Sequence, residues 1–213
     1  MKLLAVDTAL GACSVAVLDG ARLRAHRFEL MERGHAEALA PMVEAAMRDA
    51  DFAFAALDRL AVTTGPGTFT GQRVGLAFMR GLRVALNKPL IGVTSLAALA
   101  AQAIAETGCA RAAAVHDARR DEFYIELAPG GEPVLKTRED AVAMLSEFET
   151  PFALAGTGAE AMQAMLRGSV LSAVRQPDAL WVAQLASAMP EPSEVPRPLY
   201  LRAPDAKLPA ARP

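Results

Sequence analysis

Apolar and polar positions along the chain alternate with two different periods, and the switches between them mark out the elements. Lys2 to Asp7 and Cys13 to Leu18 read as short apolar strands, joined by a small-residue turn through Thr8, Ala9 and Gly11. Asp19-Gly20 then turns the chain into a third strand, Arg22 to Phe28. A helical period follows from His35 to Ala50, then a strand from Leu60 to Thr63 and a helix from Gln72 to Leu86. A strand at Leu90 to Val93 and a helix capped by Ser95 and running through Ala105 close this first unit. The same order then repeats. Strands at Ala112 to Asp117, Glu122 to Leu127 and near Val134 precede a helix after Thr137, a strand at Phe152 to Ala155 and a helix from Ala159 to Leu166. A strand near Val170 to Val174 and a helix from Ala179 to Ala188, capped by Asp178, complete the second unit. Two mixed α/β lobes with a cleft between them are expected, with Pro190 to Pro198 as a proline-rich, extended connection.

The densest punctuation is Gly65-Pro66-Gly67-Thr68-Phe69-Thr70-Gly71, between a strand and a helix, with Thr68 or Thr70 available as the helix cap. A strand, a rigid loop and a helix N-terminus can form an anion site. The familiar phosphate loops do not match, since no lysine follows at the Walker spacing and Pro89 to Thr94 lacks the acidic residue of a dinucleotide site. A ligand loop and a stiff turn that aims a helix both remain open.

An aspartate ending the first strand, Asp7, before a tight turn with Thr8 and Gly11 resembles the first phosphate motif of the actin, Hsp70 and sugar-kinase ATPases. Taken with the Gly65 to Gly71 loop, the pattern is similar to the TsaB (YeaZ) family. Further matches are Ile91 to Leu96, Asp117-Ala118-Arg119, Gly156-Thr157-Gly158 and Pro198-Leu199-Tyr200-Leu201-Arg202, in family order over nearly the whole chain. The resemblance implies two duplicated RNase H-like lobes of that ATPase fold, the second one reduced. It suggests an N-terminal lobe over 1–107, a smaller lobe over 108–195 and an extended tail over 196–213.

Composition narrows the surroundings. The chain has 213 residues, 53% of them hydrophobic, and a mean hydropathy of +0.22, so some surface is expected to meet a partner. A net charge of −2 offers no overall footprint for nucleic acid. Cys13 and Cys109 make no disulfide framework and suit a reducing compartment. Leu3 to Val6 is too short for a secretory leader and Leu96 to Ile104 too short for a membrane span, so a cytoplasmic protein with no membrane role is expected.

The chemistry expected of the cleft is slight. The second hairpin would need bare backbone near a phosphate, but Asp117-Ala118-Arg119-Arg120-Asp121 carries side chains and extra negative charge there. Asp7, Thr8 and Gly11, with Gly156-Thr157-Gly158, leave only weak ATP or ADP recognition, and no cofactor is required. Asp7 equally suits a strand-end residue bonded to its own turn. The resemblance implies a related catalytic chain, TsaD, whose metal is held by a His-x3-His pair. Here His35 is followed by Leu39, so His35 is expected at a helix start or interface, and no metal site or nucleophile is expected.

What remains is a surface. Val74, Ala77, Phe78, Gly81, Leu82 and Ala85 form the face of the second helix expected to lie on its own sheet. Leu76 and Met79 lie opposite and are expected to meet a partner, together with His35, Leu39, Met42, Val43 and Met47 of the first helix. Arg73, Arg80 and Arg83 are expected at the rim of that contact. The resemblance then implies a noncatalytic subunit of the bacterial tRNA threonylcarbamoyladenosine complex. It would pair with TsaD, help recruit the ATPase TsaE and meet tRNA only through the complex, with ATP used by the complex and a homodimer formed when the chain is alone. A stand-alone ATP-dependent small-molecule kinase and a glycoprotease are the alternatives.

Overall fold

The computed structural model describes residues 1–202. It contains two five-stranded mixed sheets of the same topology. In the first, β1 (Lys2–Asp7), β2 (Ala12–Asp19), β3 (Arg22–Leu30), β4 (Arg59–Gly65) and β5 (Leu90–Thr94) lie in the order β3-β2-β1-β4-β5. The second holds β6 (Ala112–Asp117), β7 (Glu122–Ala128), β8 (Val134–Thr137), β9 (Phe152–Ala155) and β10 (Ser169–Leu171), in the order β8-β7-β6-β9-β10. Each sheet begins with an antiparallel meander and adds two parallel strands through helical crossovers. The duplication expected from the element order is therefore present strand for strand.

Alternation along the strands assigns each sheet two cores. Leu4 and Val6 of β1, with Val15 and Val17 of β2 and Leu60 and Val62 of β4, face α1 (His35–Ala50) and α2 (Phe69–Leu86). Their neighbours Leu3, Ala5, Ala16 and Ala61 face the opposite way, onto Ala179, Val182, Ala183 and Ala186 of α6 (Ala179–Ala188). In the second sheet Val115, Ile125 and Leu154 meet α4 (Arg138–Ser146) and α5 (Ala159–Gln163), while Ala112, Ala114, Ala153 and Ala155 meet Leu96, Leu99 and Ala103 of α3 (Ser95–Thr107). The alanines that raise the hydrophobic fraction thus fill the narrow layer between the sheets, where small side chains let helix and strand backbones approach.

A division at residues 107 and 108 follows the chain but not the packing. The helix before it, α3, covers the second sheet, and α6, far beyond it, covers the first. The second lobe is reduced in its helices: α4 and α5 have 9 and 5 residues where α1 and α2 have 16 and 18. Of the expected tail, residues 196–202 carry no regular element and 203–213 lie outside the described residues.

Local chemistry moves several boundaries. The cap of α3 is Thr94, whose hydroxyl accepts from Ala97 N at 2.9 Å, while the Ser95 hydroxyl donates to Pro66 O instead. The fifth helix stops at Gln163, after which Met165 and Leu166 donate back three residues in tight turns. The last strand is confined to Ser169–Leu171, because Val174 N is taken by the Ser172 hydroxyl. Among the described residues, no helix is long and apolar enough to cross a membrane.

Candidate functional site

The expected phosphate motif lies where β1 ends, and of its polar groups Asp7 Oδ1, the Thr8 hydroxyl and the amides of Ala9 and Gly11 are bonded within the chain. Asp7 is fully buried; its Oδ1 accepts from the Thr63 hydroxyl at 2.6 Å and from Ala9 N at 3.1 Å. Burial pushes its carboxyl up to about 7, against the lowering effect of the Thr63 and Ala9 bonds, and the Asp178 carboxylate adds to the rise. Among the described residues, Asp7 Oδ2 is buried with no hydrogen-bond partner. The amide of Gly11, which could face an anion, donates to Gln176 Oε1 at 2.8 Å. His35, the first residue of α1, is buried and donates from Nε2 to Leu10 O at 3.0 Å, so it anchors the same turn from the helix side.

The glycine loop closes this turn. Gly65 ends β4, Pro66 and Gly67 cross over, and Thr68 caps α2 by accepting from Gly71 N at 3.0 Å. Thr68 N donates to Ala9 O at 2.8 Å. Thr8 donates its hydroxyl to Gly71 O at 2.7 Å and accepts from Gly75 N at 3.0 Å. A Cβ on Gly71 would lie 2.2 Å from Thr8 O, so only glycine permits the approach. Of the two open readings of Gly65 to Gly71, the geometry is that of a clamp on the hairpin. Phe69 and Thr70 remain exposed on the other side.

The second-lobe hairpin carries the side chains read from the sequence. Arg119, Arg120 and Asp121 have φ of 64, 57 and 60°. Beside it, Thr157 accepts from Asp117 N at 3.1 Å and bonds His116 Nδ1 at 2.9 Å. Burial pushes the His116 imidazole down to about 4, with the Asp117 carboxylate opposing. Among the described residues, no group of three or more His, Cys, Asp or Glu side chains is placed to hold a metal ion.

The expected partner surface is rearranged. Leu39, Val43, Met47, Leu76 and Met79 lie in the chain's own core against the first sheet, so they are unavailable to a partner. The inner face of α2 is Gly71, Gln72, Gly75, Leu76 and Met79, because the two glycines let the helix settle onto the hairpin. Val74, Phe78 and Leu82, expected to face the sheet, are half-buried at its margin, and Ala77, Gly81 and Ala85 are exposed beside a Val84 that is 76% exposed. Met42 alone of the chosen α1 apolar residues is half-buried, packed at the edge of the same core.

The arginines are likewise reassigned. Arg73 Nε donates to Tyr200 Oη at 2.9 Å and Arg80 Nε to Pro196 O at 3.1 Å, so both serve the chain's own C-terminal segment. Arg83 is half-buried beside Val84, Glu194 and Arg197. Sequence reasoning missed Gln176, the Asp178–His26 contact at 2.7 Å, and Glu126, which accepts from the Thr94 hydroxyl. Each is an ordinary polar residue in sequence, and only distant backbone gives it a role.

Comparison with known proteins agrees with this architecture. A family model described as "TsaD: tRNA N6-adenosine threonylcarbamoyltransferase" matches residues 29–166. The tRNA threonylcarbamoyladenosine biosynthesis protein TsaB of Escherichia coli is 39% identical over 124 residues, which cover 58% of this chain and 53% of that protein. The match thus spans about half the length of that relative. The solved structure of YeaZ from Pseudomonas aeruginosa is 33% identical, with a TM-score of 0.75 over 87% of this chain and 91% of that one. For the fold alone, the activator of 2-hydroxyisocaproyl-CoA dehydratase from Clostridium difficile, solved with bound ADPNP, has a TM-score of 0.50 at 10% identity, covering 88% of this chain and 94% of its own. A duplicated actin-like fold, a first hairpin clamped by the Gly65 to Gly71 loop and overlap with YeaZ over 87% of the chain lead to one conclusion: the chain belongs to the TsaB (YeaZ) family.

Proposed function

We propose that this chain is a noncatalytic subunit in tRNA threonylcarbamoyladenosine biosynthesis, pairing with a TsaD-type catalytic chain and helping to recruit a TsaE-type ATPase. The names of its relatives support the process. The observation that carries the subunit role is the outer side of α2, where exposed Ala77, Gly81, Val84 and Ala85, flanked by the half-buried Val74, Phe78 and Leu82 at the core margin, form an apolar surface. Contiguous surfaces of that kind mark protein contacts. The likeness to the TsaD family model runs through α1 and α2, so a partner of that fold would bring matching helices to a pseudo-twofold contact. In isolation the same surface would pair two copies of the chain.

The noncatalytic character is supported by the occupied hairpin, since Ala9 N, Gly11 N and the Thr8 hydroxyl are already bonded within the chain. In this reading ATP serves the complex, and nucleotide binding by this chain alone is weak. The test is reconstitution of tRNA modification from purified TsaD-type and TsaE-type proteins with this chain omitted and restored. Modification that requires this chain, and that survives Asp7→Asn but not Val84→Glu, is the expected result. Full modification without the chain would overturn the reading.

A further inference from the structure

Beyond α6 the chain runs back across the first lobe and fastens there at several points. Leu199 N donates to Thr64 O at 2.8 Å. Pro196 packs against Gly92, where a Cβ would come within 2.8 Å of Pro196 Cβ. Arg80 grips Pro196 O from Nε at 3.1 Å and also from Nη2. Tyr200 stacks on Phe69 with centroids 6.1 Å apart, and Arg73 lies 3.5 Å from the Phe69 ring centroid while bonding the Tyr200 hydroxyl. Two residues later the chain is on the other lobe: Arg202 pairs with Glu122 and donates to Arg119 O at 3.4 Å.

The landing point is the turn in which Arg119, Arg120 and Asp121 all adopt the left-handed backbone region, although none is glycine. Side chains with a Cβ take that conformation at a steric cost, so the turn depends on anchors around it. Asp117 Oδ1 holds Arg119 N at 2.7 Å, and Arg138 holds Asp121 through Nε at 2.7 Å and through its amide at 3.0 Å. Arg202 is the anchor that comes from the first-lobe side. Its ion pair with Glu122 is partly exposed, the two side chains at 24% and 32%, which makes it releasable.

We propose that Pro196–Arg202 is a latch between the lobes, coupling Phe69, Arg73 and Arg80 of α2 to the strained second-lobe turn. The anchors at Tyr200 and Arg202 are separated by a single residue, and a chain reaches at most about 3.3–3.6 Å per residue, so the link from α2 to the turn has little slack. A macromolecule that docks on α2 and draws Arg73 or Arg80 away from the strap therefore loosens the Arg119–Asp121 turn without touching it. The latch goes beyond the assignment to tRNA modification and holds whichever partner docks on α2.

Hydrogen exchange on the full chain tests it. The turn is reported by the amides of Ala118 and Glu122, which bond Glu122 O and Arg119 O across it. Arg80→Gln and Tyr200→Phe, both remote from the turn, are expected to raise exchange at these amides about threefold or more. Arg202→Glu is expected to do the same, and adding Glu122→Arg to restore the protection. Faster exchange confined to residues 190–202, with the turn amides unchanged, would overturn the latch, as would failure of the charge exchange to restore them. Should Arg80→Gln disturb the fold, Tyr200→Phe, which deletes one oxygen atom, decides the matter alone.

Discussion

The Thr8 hydroxyl donates to the carbonyl of Gly71 at 2.7 Å across 63 residues of chain, and the amide of Gly75 donates back to the same oxygen. This hydroxyl is saturated and buried, and it fastens α2 to the hairpin that could otherwise have faced a ligand. The loop from Gly65 to Gly71 thus closes on the hairpin, with Gly67 and Gly71 answering to close backbone approach and Gly65 to a φ of 104°.

Breaking that clamp is expected to destabilise the chain strongly. Thr8→Val deletes both bonds of its hydroxyl, to Gly71 O and from Gly75 N, each worth roughly 0.5–1.5 kcal/mol. Gly71→Ala forces a Cβ against Thr8 O and is expected to cost about 1–3 kcal/mol or more. Urea unfolding monitored by circular dichroism measures both. Midpoints equal to the parent's would mean that hairpin and loop are not fastened in solution.

Stability is expected to depend on pH through two buried carboxyls. Asp7 and Glu126 are both raised to about 7, chiefly by burial, so between their ordinary values near 4 and about 7 the folded chain holds more protons than the unfolded one. Stability from these groups is then greatest in acid and falls as pH rises through that window. His116, lowered to about 4 by burial, acts in the opposite sense up to its ordinary value. The Asp7→Asn variant isolates one carboxyl. It is expected to gain on the parent by up to roughly 3 kcal/mol between pH 5 and pH 8. Parallel stability–pH curves would show that Asp7 titrates normally.

The two sides of the paired helices should respond differently to substitution. Leu39→Ala opens the core between α1 and the first sheet and is expected to lose about 2–5 kcal/mol. Val84→Glu changes an exposed position, so the melting temperature is expected to stay within about 2 °C of the parent's. The same variant should weaken self-association in light scattering and TsaD-type binding in titration calorimetry. Unchanged association would place the docking surface elsewhere.

The purified chain is expected to show no ATP turnover above a buffer blank. Gly11 N is held by Gln176, and Asp7 is enclosed beneath the loop. A phosphate-release assay that detects turnover in the parent and none in a folded Asp7→Asn variant would make the chain an ATPase after all.

The sequence by itself determined the order, type and duplication of the elements. Period-2 and period-3.6 patterns separated by Gly, Asp and Thr located β1, β6, β9 and α6 to the residue and placed α1. These signals are local, because turn chemistry and alternation act within a few residues. The motif carrying Asp7 was equally legible, as was the absence of bare backbone in the second hairpin. Only the tertiary structure decided which side of α2 points inward. Both sides are apolar, and hydrophobicity alone favoured Val74, Phe78 and Leu82, whereas the close approach allowed at Gly71 and Gly75 turned Leu76 and Met79 to the sheet. The partner of Arg80 lies 116 residues away, and Gln176 meets Gly11 across 165. Periodicity carries no information about contacts at that separation; they are set by how two lobes pack around α3 and α6.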